Sequence, residues 1–339
     1  MSELSRRQLL MSIPALALVP RSLLAQAGTP PIRVRSLNHF GIAAADPKRS
    51  VDFYQGLFGM PIQAHAGENT ILRVGNGPQF LSVGPVQRGA PPSITHYCLG
   101  VEGFNVDRVV ATLAQHGITK SDASGPMKVT VTTRDGGTPD LLFGDPDGIE
   151  CQLQDASYCG GTGGLGNVCK APEPSPKKGL LPLKDLSHLT ISSTDSARSN
   201  RFYQDLFGFS IRSYQGPTAP ALAVGPSVQF LMFTGGAGPA RGGAAAPPRP
   251  ASINHGCFSM DGFKPDDVLK SLESYGIKPR DGAGPVGPFR HYVSMRMENR
   301  GGAPGGTPEL YFTDPDGLLM QLQDTAYCGG SGFLGDVCR

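Results

Sequence analysis

A motif that occurs twice constrains this chain more than any other feature. Asp145-Pro-Asp-Gly-Ile-Glu-Cys-Gln152-Leu-Gln-Asp155 returns as Asp314-Pro-Asp-Gly-Leu-Leu-Met-Gln321-Leu-Gln-Asp324. Pro fixes φ and Gly tolerates positive φ, so each copy predicts a tight turn leading into a strand with one buried face. The turn delivers one polar side chain, Gln152 or Gln321, to a fixed place. Matching tails follow, with Cys159 and Cys169 after the first copy and Cys328 and Cys338 after the second. The chain is therefore read as a duplication, and its 339 residues suit two domains of roughly 150 residues each.

Each half reads as two βαβββ units. Arg35 to Ala43 predicts a strand, and Asp46-Pro47 predicts the cap of a helix running to Phe58 and stopped by Gly59. Val51, Tyr54 and Phe58 share one face of that helix, widened by Phe53 and Leu57. Short strands follow near Met60 to His65, Thr70 to Val74 and Gln79 to Val83. The pattern restarts at Ile94 to Val101, with a helix over Val106 to His116 and three strands to Gln154. The second half repeats this order from Leu186. Loops lengthened in the second half, around Gly235 to Pro250 and Gly301 to Gly306, are too rich in Gly, Ala and Pro to be elements. Lys170 to Lys178 predicts a stiff polar linker. The resulting division is an export signal at 1–27, a first domain at 35–155, a Cys-containing tail and Pro-rich linker at 156–183, a second domain at 184–324, and a Cys-containing tail at 325–339.

The export expectation rests on Ser5-Arg6-Arg7-Gln8-Leu9-Leu10, a short apolar run to Val19, and small residues at Ala25-Gln26-Ala27. This resembles a twin-arginine signal, which implies the twin-arginine machinery and a signal peptidase as partners and a periplasmic or secreted product. The apolar run is too short and Pro-interrupted for a stable transmembrane helix. A net charge of +2 with no basic stripe gives no case for nucleic acid.

Paired βαβββ units, a helix ending Phe-Tyr-Gln-x-Leu-Phe-Gly and the closing Asp-Pro-Asp-Gly strand together resemble the vicinal oxygen chelate superfamily, which includes glyoxalase I, type I extradiol dioxygenases and bleomycin-resistance proteins. The resemblance runs from Arg35 to Asp324. It implies an α+β fold in which paired modules form open U-shaped sheets, here as two tandem domains. It also implies a divalent metal, iron, manganese, nickel or zinc, held by residues of the first, fifth and eighth strands. Those positions hold His39, His96 and Gln152 in one half and His188, His255 and Gln321 in the other. Four of the seven histidines thus fall at ligand positions. Neutral imidazole is a common metal ligand, and strand residues two apart share a face.

The family usually has Glu where this chain has Gln152 and Gln321. An amide carbonyl can ligate a metal but is neither an anion nor a base. A further fourth-strand position matches Gln79 and Gln229, which gives each cleft two imidazoles and two amides. Glu150 lies two residues before Gln152 on the same strand face and could supply the missing carboxylate in the first half; it ranks below Gln152, because a two-residue step moves a side chain by ~6.6 Å, and its alternative place is the cleft rim. Tyr311 matches a tyrosine of the extradiol enzymes, but no His lies between Asn299 and Glu309, so ring cleavage is disfavoured. Glyoxalase I activity is disfavoured by the missing carboxylate. Histidines 65, 116 and 291 are expected at the periphery. Cys98 and Cys257, two residues after His96 and His255, are either thiols beside the cleft or small buried hydrophobes. Cys151 is expected in the core. The four tail cysteines predict disulfides in an oxidising compartment, in any of three pairings.

Two functions are compatible with this pattern. One is an exported metal-dependent lyase, isomerase or oxygenase acting on a small oxygen-chelating substrate. The alternative is a metal-independent protein that sequesters a small molecule, as bleomycin-resistance proteins do.

Overall fold

The computed structural model describes residues 30–134, 136–235, 250–282 and 286–338. The twin-arginine segment and most of the insertion around Gly235 to Pro250 lie outside the described residues. Among the described residues, no helix is long and apolar enough to cross a membrane.

The first half comprises β1 (Val34–Ala44), α1 (Pro47–Phe58), β2 (Ile62–Ala66), β3 (Asn69–Arg73), β4 (Phe80–Pro85), β5 (Ser93–Val101), α2 (Val106–Gln115), β6 (Thr119–Lys120), β7 (Lys128–Thr133), β8 (Pro139–Gly144) and β9 (Glu150–Asp155). Its strands form one sheet in the order β2-β3-β4-β1-β5-β9-β8-β7-β6. The second half repeats this with β10 (Asp185–Ser193), α3 (Ser196–Phe207), β11 (Ile211–Tyr214), β12 (Pro220–Ala223), β13 (Phe230–Gly235), β14 (Ser252–Met260), α4 (Pro265–Ser274), β15 (Lys278–Pro279), β16 (Arg290–Arg296), β17 (Thr307–Thr313) and β18 (Leu319–Asp324). Each sheet thus has nine strands, because a two-residue edge strand, β6 or β15, follows the second helix of each half. The lengthened loop near Gly301 is not wholly irregular, since Glu298–Arg300 forms a 3-10 turn.

Local chemistry accounts for the elements. Asp46 and Asp195 cap α1 and α3 by accepting the backbone N–H of Arg49 and Arg198. Gly59 and Gly208 end those helices in the left-handed region, at φ 69° and 66°. Phe53, Tyr54, Leu57 and Phe58 are buried as the helical pattern predicts, each worth roughly 1.5–3 kcal/mol of apolar transfer. The linker is not a free spacer. Glu173 bridges to Ile62, Leu180 and Leu181 donate their N–H groups to Leu57 O, and Leu181 is buried.

The halves interlock through the repeated turns. In the first turn, Asp145 Oδ1 accepts the N–H groups of Asp147 and Ile149, and its Oδ2 accepts the Tyr203 hydroxyl of α3 at 3.3 Å. Asp147 holds Arg198 and the Thr194 N–H, just before and within α3. The second turn does the same in return: Asp314 faces Tyr54 of α1, and Asp316 holds Arg49 and the Ala45 N–H. Tyr97 and Tyr203 meet hydroxyl to hydroxyl at the centre.

Burial pushes Asp145 and Asp314 up to about 6, from an ordinary value of 3.8. Because the fold disfavours their ionised forms, this penalty is fully present above about pH 6 and is relieved as the pH falls from there toward 3.8. A variant with Asp145→Asn and Asp314→Asn keeps a carbonyl acceptor in each turn and removes the titration. Urea unfolding at pH 5 and pH 7.5 is expected to show wild type losing a few kcal/mol relative to the variant over that interval. Parallel pH profiles would refute the assignment.

Candidate functional site

Strand register builds the site as a row across each sheet. In the first, Phe80, His39, Cys98, Gln152 and Leu142 lie opposite one another on β4, β1, β5, β9 and β8. In the second, the row is Phe230, His188, Cys257, Gln321 and Tyr311. Laterally paired residues share a sheet face. His96, one step along, pairs with Gly41 and Glu150. A Cβ at residue 41 would stand 2.3 Å from the His96 ring, so glycine there makes room for the imidazole.

The histidines converge in both halves. His39 and His96 have ring centroids 5.4 Å apart with planes at 83°, and His188 and His255 are related in the same way at 5.5 Å and 82°. Phe80 stacks on His39 at 4.1 Å and Phe230 on His188 at 4.3 Å. Phenylalanine therefore occupies the fourth-strand position expected for an amide. The expectation for Gln79 and Gln229 fails by one residue, which in a strand reverses the face. Gln229 instead bonds Leu37 N and O together with Leu186 O, joining the first strands of the two halves. Gln79 is not among the residues lining the first cavity.

The preceding side chain orients each histidine. Asn38 donates Nδ2 to Tyr158 O at 2.8 Å, which leaves its Oδ1 to accept from His39 Nδ1 at 2.8 Å. Thr95 donates its hydroxyl to Gly41 O, so its oxygen accepts from His96 Nδ1 at 2.9 Å. Asn254 Oδ1 lies 2.8 Å from His255 Nδ1, and Ser187 Oγ lies 3.2 Å from His188 Nδ1. With Nδ1 carrying the proton, the Nε2 lone pairs of His39, His96 and His255 are turned to the cleft. Burial holds all four imidazoles neutral: His39 and His188 fall well below the ordinary 6.5, and His96 and His255 lie at about 4.

Gln152 donates Nε2 to Asp140, which leaves its carbonyl oxygen facing His39. In the second half, Gln321 Oε1 lies 3.1 Å from His188 Nε2, while His255 Nε2 and Gln321 Nε2 are buried without partners. Among the described residues, no group of three His, Cys, Asp or Glu side chains is placed to hold a metal. The donor set in each half is two imidazoles and one amide carbonyl, and in the first half the convergence of lone pairs without a proton between them fits a divalent cation.

Several residues of the site were not foreseen. Asp140 and Glu309 stand on β8 and β17, with Arg134 and Arg296 across the same hairpins. Their signal was a second repeat, Gly-Gly-Thr138-Pro-Asp140-Leu beside Gly-Gly-Thr307-Pro-Glu309-Leu. Tyr158 and Tyr327, each just before a tail cysteine, flank His39 and His188 with centroids 5.8 and 5.5 Å away. The disulfides pair within each tail, Cys159 to Cys169 and Cys328 to Cys338. Gly166 and Gly335 in these loops lie against the Tyr158 and Tyr327 rings, where a Cβ would come within 2.4 and 2.6 Å. The staple thus holds one wall of each cleft.

The remaining candidates separate cleanly. Tyr311 lines the second cleft, 5.3 Å from His255. Glu150 shares the His96 row and is half-buried, while Cys98 and Cys257 are fully buried on the cleft floor with thiols pushed upward by burial. Cys151 is in the core. His291 is buried rather than peripheral, but it packs toward Glu273 of α4, at 3.3 Å, and not into the cleft.

Comparison with known proteins agrees with this fold. The profile of the Glyoxalase/Bleomycin resistance protein/Dioxygenase superfamily matches residues 36–153 and 185–322. The chain belongs to that superfamily. It is 28% identical over 150 residues to the uncharacterized protein YaeR of Escherichia coli K12, covering 43% of this chain and 99% of that one. The Mn(II)-bound glyoxalase from Novosphingobium aromaticivorans superposes with a TM-score of 0.57 at 17% identity, covering 86% of this chain and 82% of that one. The 2,3-dioxygenase LapB from Pseudomonas sp. KL28 gives 0.58 at 14%, covering 86% and 92%. Homoprotocatechuate 2,3-dioxygenase from Brevibacterium fuscum, in complex with 3,4-dihydroxyphenylacetate, gives 0.56 at 18%, covering 88% and 83%. At these identities the structural likeness establishes the superfamily fold alone.

Neutral histidines make a direct prediction. Nitrogen-15 NMR at pH 6 is expected to show His39, His96 and His255 as the neutral Nδ1–H tautomer, since burial holds His39 well below 6.5 and puts His96 and His255 at about 4. The same depression contributes stability above pH 6.5 that is lost as the pH falls toward 4, because only the unfolded chain takes up the protons. Imidazolium signals from these residues at pH 6 would contradict the buried geometry.

Proposed function

We propose that this chain is an exported, divalent-metal-dependent enzyme of the superfamily, of lyase, isomerase or oxygenase type, acting on a small oxygen-chelating substrate. The observation that carries the proposal is the lone-pair arrangement. His39 and His96 turn proton-free Nε2 atoms toward the cleft, beside the carbonyl of Gln152, whose amide N–H is spent on Asp140. His39, His96 and Gln152 would hold the ion, and the corresponding residues of the other half are His188, His255 and Gln321. Iron, manganese, nickel and zinc all accept such donors. Once bound, the ion supplies Lewis acidity toward substrate oxygens.

The chain's own residues supply positioning. Asp140 binds Gln152 and Arg134 and so fixes the amide that faces His39. Asn38 and Thr95 fix the imidazole tautomers, and Phe80 and Tyr158 keep one side of the cleft apolar. The intramolecular tail disulfides support export to an oxidising compartment, as does the twin-arginine-like amino terminus.

A second reading, metal-independent sequestration of a small molecule, is favoured by one observation: Asp140, which lines the cavity with the first His pair, is committed to Arg134 and Gln152 rather than presented as a ligand. Elemental analysis of the mature protein, purified without chelators or a histidine tag, decides between the two. Bound metal that is lost in His39→Ala and His188→Ala together supports the enzyme. No metal after reconstitution with manganese, iron, nickel or zinc would shift the function to sequestration. Asn38→Ala, which frees the His39 ring, is expected to weaken metal binding at the first cleft by roughly 10- to 100-fold in a calorimetric titration, as loss of an outer hydrogen bond to a ligand does elsewhere.

A further inference from the structure

The two clefts share a plan but differ in what they leave open. The first is a cavity of about 210 Å³ whose lining includes His39, His96, Gln152, Arg134, Asp140 and Tyr158. Arg134 is 26% exposed there. Its Nη2 reaches Asp140 Oδ1 only at 3.3 Å, and its Nε lies 3.3 Å from Asp140 Oδ2 without the alignment of a hydrogen bond. The guanidinium stands 5.3 Å over the Tyr158 ring. A guanidinium carries five N–H donors, so Arg134 keeps donor capacity for a ligand.

Arg296, its counterpart, is fully buried, with every nitrogen committed: Nε to Glu309 at 2.7 Å, Nη1 to Gly301 O at 2.8 Å and Nη2 to Gly330 O at 2.9 Å. The second partner comes from the lengthened β16–β17 loop, where a Cβ on Gly302 would collide with Arg296 O at 1.7 Å. Glu309 also accepts the Tyr327 hydroxyl at 3.1 Å and has the Tyr311 hydroxyl at 3.5 Å. Tyr311 stands where the first half has Leu142 and stacks on Tyr292, and His255 is buried where His96 is half-buried.

We propose that the first cleft alone receives ligand, that Arg134 binds an anionic group of that ligand, and that the ligand is a small planar carboxylate bearing a neighbouring oxygen. The second cleft is a closed copy whose arginine has become part of the framework. Planarity follows from walls formed by Phe80, Tyr158 and Leu142, and the carboxylate follows from a guanidinium with donors to spare. The neighbouring oxygen rests on the functional reading given above, because it would face the His pair and Gln152; the carboxylate contact does not depend on that reading. Arg134 is a specificity-determining residue in this scheme.

Salicylate has the required groups and serves as the probe. The full chain, both chelator-treated and Mn(II)-loaded, is exposed to the arginine reagent phenylglyoxal with and without salicylate, and modification is read by peptide mass spectrometry. Arg134 is expected to react and to be protected by salicylate in both forms, while Arg296 stays unmodified. In calorimetry, Arg134→Gln is expected to weaken salicylate binding roughly 10- to 100-fold, the range for a lost charge-assisted hydrogen bond, and Arg134→Lys to recover part of it. Unchanged affinity in a folded Arg134→Gln protein, salicylate without effect on Arg134, or salicylate protection of a reactive Arg296 would each overturn the proposal. Failure of the metal reading has a different signature: no Mn(II) uptake, with Arg134 still protected in the chelator-treated protein.

Discussion

The structure depends on one buried carboxylate per half. Asp145 uses one oxygen to close its own turn through two backbone N–H groups and offers the other to a tyrosine of the opposite half; Asp314 reciprocates. Burying an unpaired carboxylate is costly, so these hydrogen bonds are a condition of the fold rather than an embellishment. The turn fixed by Asp145 leads directly into β9, which carries Gln152, and the same aspartate touches α3. The position of an amide in one cleft is thereby set partly by a helix from the other half. Two copies in one chain supply both sides of this exchange, which gives the duplication a physical reason.

Much of this was legible because the signals were periodic and repeated. Capping aspartates, helix-ending glycines and the apolar face of α1 place the helices to within a residue or two. The recurrence of histidine at equivalent strand positions located both pairs. What failed was register and context. Reading Gln79 for Phe80 is an error of one residue, enough in a strand to exchange a cleft residue for one on the other face. Gln229 has its partner, Leu37, 192 residues away, a contact no local pattern announces. Arg134 lies just beyond the end of β7, where alternation no longer indicates direction. His291 looks like a loop-edge residue until β16 and α4 are packed together around it.

The halves also show how a duplicated site can diverge without changing its donors. His, His and Gln occur in both, and so does an arginine paired with a carboxylate. The carboxylate is aspartate on the open side and glutamate on the closed side, and the longer glutamate arm reaches Arg296 and Tyr327 together. A lengthened hairpin then supplies Gly301 O, so that each nitrogen of the buried arginine is engaged within the framework. Buried and fully bonded, it adds rigidity around the second His pair; half-bonded, Arg134 keeps its charge available. A few residues of loop length and one methylene separate a binding group from a framework group.

The placement of charge gives this divergence its chemical sense. In the first cleft the imidazoles and Gln152 are neutral, and Asp140 is balanced by Arg134, so these five residues together carry no net charge. A divalent ion in a neutral cage keeps most of its charge, which favours anionic partners more strongly than a cage already containing a carboxylate ligand would. In the proposed metal site, Gln152 in place of the family's glutamate would transfer the task of charge compensation from the protein to whatever enters the cleft. Arg134 acts in the same direction, and the apolar wall of Phe80 and Tyr158 lowers the local dielectric and strengthens both attractions. On the proposed reading, an amide in place of the ligand carboxylate would change what the site selects, from an arrangement that can remove a proton to one that holds an oxyanion.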